Sequence, residues 1–172
     1  LTDIPASFFQ SHSDAIHGAN LFSQKIIMKM IQNINYDFLI LTDASKKNIN
    51  VFFKDRCPNN ITFADPFTLK EDILNFKPQL IFSTTLFPER LMLARNILQL
   101  QIPVIGLIHS LGTSSTIESF EKFINYAIPI DHLICPSQSI KDLATLLGQE
   151  IDAQKTIQLP EIEHGIDTTL FK

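Results

Sequence analysis

The sequence predicts a doubly wound α/β fold, Rossmann-like, in which helices cover both faces of a mostly parallel sheet. Its strand candidates are continuous apolar runs rather than alternating ones, as expected for strands that are buried on both faces. Helical patterns of about ten to fifteen residues separate these runs, which is typical of βαβ units. In such a sheet, ligands bind beyond the carboxyl ends of the strands.

Length and composition favour one folded Rossmann-like domain over residues 1–172. Hydrophobic residues make up 45% of the chain and charged residues 19%, so disorder is disfavoured. The 14 phenylalanines are expected to form much of the core. The net charge of −4 and the lack of a basic run longer than Lys46-Lys47 argue against nucleic acid as a partner.

The sequence shows no signal peptide and no apolar stretch near the ~20 residues of a membrane span. Cys57 and Cys135 are far apart and form no CxxC pair, which gives a metal site no support. A disulfide between them is left open. We therefore expect a cytoplasmic protein with two reduced thiols.

Buried strands are predicted at four apolar runs, and two less regular runs are candidates for short strands around a turn. A doubly wound sheet usually opens with its central strand. Only residues 1–4 precede Pro5 here, so that strand is either very short or cut off, and we expect residues upstream of Leu1 to be absent. The clear runs are 38–41, 80–82, 104–108 and 133–135, and the weaker ones are 51–53 and 61–63.

Helices are predicted between these runs from apolar spacing and from start and stop signals. One runs from Ala19 to Gln32, and Pro88 opens another. The further signals are capping boxes at Thr68–Glu71 and Ser115–Glu118, a start at Ser139 and an end at Gly148.

The rule for ligands at carboxyl strand ends selects four loops: His17-Gly18, Ser83-Thr84-Thr85, His109-Ser110 and Pro136-Ser137. His109 ends the most apolar strand, where a histidine can donate to a sugar hydroxyl or a phosphate; the alternative is a ring bonded to nearby backbone. Gly18 would let a phosphate approach a helix start, or is a simple loop glycine. Ser137 lines the cleft or caps the next helix.

Other polar residues carry weaker signals. Asp65, Asp131 and Asp167 could each serve as an acid or a base, but nothing in the sequence pairs them. The spacing of Glu161, Glu163 and His164 fits no zinc motif, and a polar turn is favoured there.

Residues 159–171 resemble the hinge of the GT-B glycosyltransferases of family 4, which is an apolar strand followed by Asn-Gly-Val-Asp, three residues and Phe. Gly165, Asp167 and Phe171 match that pattern, and His164 stands where the family has Asn.

Segments upstream are similar to the same family in the same order. Residues 103–109 resemble its strand that ends in His, and residues 131–137 resemble its strand that leads to Ser. Residues 77–81 resemble its Lys-Pro-Asp entry to a strand. His17-Gly18-Ala19 lies where the family has a Gly-Gly loop, with one glycine of the two.

The resemblance implies an enzyme that transfers a sugar from a nucleotide sugar to an acceptor without a metal or other cofactor. It implies that this chain is the acceptor-side domain, that a donor domain follows Lys172 and holds the nucleotide, and that the fragment alone is inactive. His109 would lie near the transferred sugar and stabilise developing charge, and Gly18 would approach the donor phosphates. In the same resemblance Ser137 would line the cleft, and Gly165 and Asp167 would shape the hinge. The rule for ligands at strand ends adds His17, Thr84 and Ser110 to the cleft.

Three matters stay open at this point. The acceptor is unknown, and an acceptor on a membrane surface is compatible with the resemblance although no basic amphipathic helix is evident. A nucleotide-sugar epimerase of the same architecture is an alternative, but it needs a carboxylate as a proton shuttle. A stand-alone binding or interaction module without catalysis is another.

Overall fold

The computed structural model describes residues 1–4, 6–9, 18–33, 35–53, 57–152 and 157–162, and these residues form an α/β structure in which every strand pair is parallel. Strands and helices alternate along the chain, as predicted. The described strands are β1 Thr2–Asp3, β2 Phe38–Leu41, β3 Ile61–Ala64, β4 Ile81–Phe82, β5 Val104–Leu107 and β6 His132–Ile134. The helices are a 3₁₀ turn at Ala6–Phe9, α1 Gly18–Ile31, α2 Lys46–Phe52, α3 Leu69–Phe76, α4 Glu89–Ile97, α5 Ser114–Tyr126 and α6 Gln138–Ile151.

The strands form two three-stranded sheets, ordered β1-β2-β3 and β4-β5-β6, which meet at the first residue of the chain. The amino nitrogen of Leu1 donates to the Leu80 carbonyl (2.8 Å), and the Phe82 N–H donates to the Leu1 carbonyl (2.8 Å). The strands therefore lie in the order β3-β2-β1-β4-β5-β6. The order reverses between β1 and β4, which makes this the topological switch point where such folds bind ligands.

A short segment extends the sheet beyond β6. Gln158 and Glu161 form parallel bridges with His132 and Cys135. An extended segment paired by two isolated bridges thus lies where the apolar strand before the hinge was expected. Gly165 and Asp167 lie outside the described residues.

The sheet is covered on both faces, and β2 shows this directly. Phe38 and Ile40 pack in one buried cluster with residues of α1 and α2. Leu39 and Leu41, which alternate with them, pack in a second cluster with residues of α3. Because successive side chains of a strand point to opposite faces, β2 has an apolar layer on each side.

Phenylalanines form much of the first cluster, as the composition predicted. Phe8, Phe9, Phe52 and Phe53 make ring contacts with centroid separations of 5.1 to 6.3 Å. Such edge and tilted ring pairs add to the stabilisation from burial alone. None of the helices within the described residues is long and apolar enough to cross a membrane.

The predicted strand at residues 51–53 is wrong, because this region belongs to α2. Its β-branched and aromatic residues suggested a strand. The Ser45 hydroxyl instead accepts from the Asn48 N–H (3.2 Å) and caps a helix start. Ile49 within the helix and Phe53 at its carboxyl cap, four residues apart, are both buried, and the helix contacts the 3₁₀ turn, so helical spacing decides the local structure. The strand predicted at residues 61–63 is confirmed as β3.

Two capping predictions are wrong although the helices exist. Thr68 precedes α3, but its side chain makes no cap bond; it donates to the Asp72 carboxylate (3.0 Å). The capping box of α5 is formed by Thr113 and Thr116 rather than by Ser115 and Glu118. A threonine at the third helical position replaces the expected glutamate, because its hydroxyl also reaches back to the cap N–H.

The helix after β6 is longer at both ends than predicted. It begins at Gln138 with Ser137 as its cap, and it passes through Gly148 to end at Ile151. Gly148 does not adopt a positive φ, so it does not terminate the helix. A glycine inside a helix costs only about 1 kcal/mol, which the packing of α6 offsets.

Candidate functional site

The carboxyl ends of the central strands meet at the switch point and carry polar residues. Asp3 ends β1, Ser83-Thr84-Thr85 follows β4, and His109 follows β5. Because the strands are parallel and adjacent, these residues lie along one edge of the sheet. We call it the carboxyl edge.

His109 is half-buried and contacts the loop that follows the neighbouring strand. Its Nε2 lies 2.8 Å from the Thr84 carbonyl oxygen. A carbonyl can only accept, so Nε2 carries the hydrogen in this contact. The structure brings together His109 and Thr84, which the sequence named as separate candidates, and the partner of the ring is a backbone carbonyl, as in the alternative given for His109.

The loop that holds His109 is itself held by internal hydrogen bonds. Ser83 Oγ accepts from the Thr85 N–H (3.0 Å) and lies 2.8 Å from Thr85 Oγ1. Ser83 and Thr84 are buried. The Thr84 carbonyl is therefore presented to the ring by a structured loop.

Gly106 lets this loop lie against β5. A Cβ at Gly106 would come within 2.8 Å of Leu133 Cδ2, 3.1 Å of the Leu86 carbonyl and 3.3 Å of the Thr85 carbonyl. Real Cβ atoms essentially never show the first separation, and the other two, both to backbone carbonyls, are tighter than most Cβ contacts. The absence of a side chain at Gly106 thus permits the close approach that brings Thr84 to His109.

Arg90, in the first turn of α4, binds two carboxylates at the carboxyl edge. Its Nε and NH2 donate to Asp3 Oδ2 (3.2 Å) and Oδ1 (2.7 Å). Its NH1 donates to both oxygens of Asp43, at 2.8 and 2.9 Å. Asp43 follows β2, so one guanidinium connects the two halves of the sheet across the switch point.

Burial dominates the electrostatics of Asp3. Desolvation raises the pKa of its carboxyl above 3.8, although the hydrogen bond and charge of Arg90 act in the opposite direction. The bond to Asp3 in turn raises the pKa of Arg90, so the guanidinium stays charged. The pKa values of both partners therefore rise. Burial is the largest cause for Asp3, and the hydrogen bond to Asp3 is the largest cause for Arg90.

Sequence reasoning missed Asp3, Asp43 and Arg90. The rule that selected His109 could have found the two carboxylates, since Asp3 ends β1 and Asp43 follows β2, but it does not reach Arg90 in α4. Asp3 gives little signal because β1 has only two residues. A single charged residue such as Asp43 or Arg90 has the pattern of an ordinary solvated side chain. Their pairing joins residues 47 and 87 positions apart, which no local pattern indicates.

The hydroxyls predicted to line the cleft also serve local structure. Ser137 Oγ accepts from the Ile140 N–H (3.4 Å) as the cap of α6, and Ser110 Oγ accepts from the Gly112 N–H (3.1 Å). Their contact with a ligand stays a prediction. Gly18 begins α1, as predicted for a helix start, while His17 lies outside the described residues.

Other candidates have roles or partners of their own. Asp131 lies at the opposite edge of the sheet, where it pairs with the buried Arg95. Asp65 accepts from the Phe67 N–H (2.9 Å) in a turn. Cys57 and Cys135 form no disulfide. Among the described residues, no group of three or more His, Cys, Asp or Glu side chains could hold a metal ion.

The carboxyl edge thus offers a positioned imidazole, a guanidinium and two carboxylates, which suit a polar ligand rich in hydroxyl or anionic groups. No protein-family model, curated protein or solved structure matches this chain.

Proposed function

We propose that this chain is the acceptor-side half of a glycosyltransferase that transfers a sugar from a nucleotide-sugar donor to an acceptor. The observation that carries the proposal is the position of His109 beside the switch point, held by Thr84. A doubly wound sheet binds its ligand there. The family resemblance of the motifs, in order along the chain, supports the reaction class.

In this proposal His109 stabilises charge that develops as the bond between sugar and nucleotide breaks. A group fixed before the reaction needs no reorganisation in the transition state, which is the main source of such stabilisation. The Thr84 carbonyl and the structured loop behind it supply that fixation.

The proposal places the nucleotide mainly on a second domain after residue 172. Closure of two domains over the carboxyl edge would exclude water and protect the donor from hydrolysis. A cytoplasmic location, a reaction without metal, and an acceptor in solution or on a membrane surface are parts of the same proposal.

The test is glycosyl transfer by the protein encoded by the complete gene, assayed with a panel of nucleotide sugars. We expect His109→Ala to lower kcat about 100-fold, the loss typical of removing one preorganised group that stabilises a transition state. The control is His132→Ala, because His132 lies at the amino end of β6, where Nδ1 contacts the Ile130 carbonyl (3.0 Å). Unchanged turnover in His109→Ala would remove His109 from the site.

A stand-alone binding module is the second candidate, and it is favoured by the engagement of Ser110 and Ser137 in local hydrogen bonds. The two proposals differ for the 172-residue chain. The glycosyltransferase proposal expects weak or undetectable binding of nucleotide sugars by calorimetry. Micromolar binding to this chain alone would favour the binding module.

The epimerase alternative requires a carboxylate that moves a proton. Asp3 is a carboxylate at the switch point, but both of its oxygens accept from Arg90. A carboxylate held in this bidentate pair is an ion-pair partner rather than a mobile shuttle, which supports the transferase over the epimerase.

A further inference from the structure

We propose that Arg90 is a binding site for an anionic group, phosphate or carboxylate, which takes the place of Asp43 at the carboxyl edge. The inference goes beyond the proposed transferase and depends only on the contacts of Arg90. These contacts divide the guanidinium into an inner and an outer side.

Asp3 holds the inner side of the guanidinium. It accepts from both Nε and NH2, and its side chain is only 17% exposed. This bidentate pair fixes the plane of Arg90 and directs NH1 outward. The Arg90 side chain is 36% exposed, so the outer side reaches solvent at the switch point.

Asp43 holds the outer side, and it is replaceable. Its side chain is 60% exposed, although both of its oxygens lie within 2.9 Å of NH1. Exposed ion pairs contribute little to stability, because water and salt compete with them. An anion that takes the place of Asp43 therefore loses little in displacing it.

In the exchange one anion replaces another on NH1. The displaced Asp43 carboxylate stays within the Debye length of about 8 Å, so its repulsion lowers the affinity for the anion, and its removal should tighten binding. The planar guanidinium accommodates phosphate and carboxylate oxygens better than a lysine ammonium does. The bound Asp43 thus marks where the anionic oxygens of a ligand would lie.

The experiment titrates the 172-residue chain with inorganic phosphate and, separately, with acetate, while NMR follows the Nε–H resonance of Arg90. We expect Asp43→Asn to tighten anion binding about two- to fivefold, since it removes the competing carboxylate. Asp37→Asn is the matched control. It makes the same charge change just before β2 instead of just after it, and should leave the affinity near that of the unmodified chain.

Arg90→Lys keeps the positive charge but loses the bidentate geometry, so we expect weaker binding than in the unmodified chain. If this variant does not fold, the comparison of Asp43→Asn with Asp37→Asn alone shows whether an anion takes the place of Asp43 on Arg90. Stronger binding of phosphate or of acetate identifies the anion class. Equal affinities in Asp43→Asn and Asp37→Asn would overturn the proposal and leave Arg90 as a structural ion pair. Absence of transferase activity would leave it intact.

Discussion

Helix α4 carries two arginines that lie at opposite edges of the sheet and have opposite environments. Arg95 and its partner Asp131 are completely buried at the amino edge. Arg90 at the carboxyl edge is partly exposed and shared between Asp3 and Asp43. The same type of side chain therefore forms a buried ion pair at one edge of the sheet and a partly exposed one at the other.

The buried pair is fully satisfied by hydrogen bonds. Arg95 donates to Asp131 (2.6 Å) and to the carbonyls of Ile102 and Tyr126. Asp131 also accepts from the N–H groups of Val104 and Ile128. This network ties the ends of α4 and α5 to the starts of β5 and β6. The amino edge is thus closed by internal bonds, while the carboxyl edge keeps charges that a ligand can reach.

The largest expected effect breaks the buried pair. Asp131→Ala leaves Arg95 charged and unpaired and removes the acceptor of two N–H groups, so we expect a loss of about 3–5 kcal/mol in the free energy of unfolding. Asp43→Ala, the matched change at the exposed pair, should cost less than about 1 kcal/mol. Urea denaturation measures both. Similar losses in the two variants would abolish the contrast between the edges.

A smaller loss of stability is expected at Gly106, where the loop after β4 lies against β5. Gly106→Ala forces its Cβ against Leu133 and two carbonyls, and overpacking of this kind costs about 1–3 kcal/mol. The change should also shift the NMR signals of the His109 ring, because the loop that holds it must move. Gly112→Ala is the control, since its new Cβ meets nothing closer than 3.6 Å. Equal stability of the two variants would show that the loop is not tightly packed.

A substitution at Ser137 tests whether its hydroxyl stabilises α6 or contacts a ligand. Ser137→Ala should lower the free energy of unfolding by about 1 kcal/mol, since α6 loses its cap. Thr68→Ala should cost less, because the Thr68 side chain makes no cap bond. If Ser137→Ala instead leaves stability unchanged and affects only ligand binding, Ser137 belongs to the cleft rather than to the helix.

The smallest expected effect is a pH dependence from Asp3. Its raised pKa means that the folded state binds the proton more tightly than the unfolded chain does. The Asp3 contribution to stability is therefore fully present below the unfolded pKa and falls as the pH rises through the folded pKa. Asp3→Asn should lack this fall, which begins as the pH rises above 3.8, and Arg90→Gln should raise the pKa of Asp3 further in an NMR titration. A pKa of Asp3 below 3.8 would reverse the sign and contradict this account.

The sequence by itself determined the fold class and most element positions. Continuous apolar runs predicted β2 with its observed limits, and helical spacing predicted α1 within one residue at each end. These features follow from burial on one or both faces, which local periodicity records. The position of His109 followed from the same pattern, because a residue just beyond an apolar strand lies at the carboxyl edge. Helix caps were less predictable, since several Ser and Thr hydroxyls compete for each start.

Only the tertiary structure decided which polar residues meet. The short β1 became the central strand through hydrogen bonds of Leu1 to residues about 80 positions away. Arg90 binds Asp3 across 87 positions, and Arg95 binds Asp131 across 36. Nothing in the local sequence distinguishes these two arginines, because exposure and partner choice depend on which strands become neighbours. The physical reason is that charge pairing acts through space, whereas the periodicity of a sequence records only which face of each element is buried.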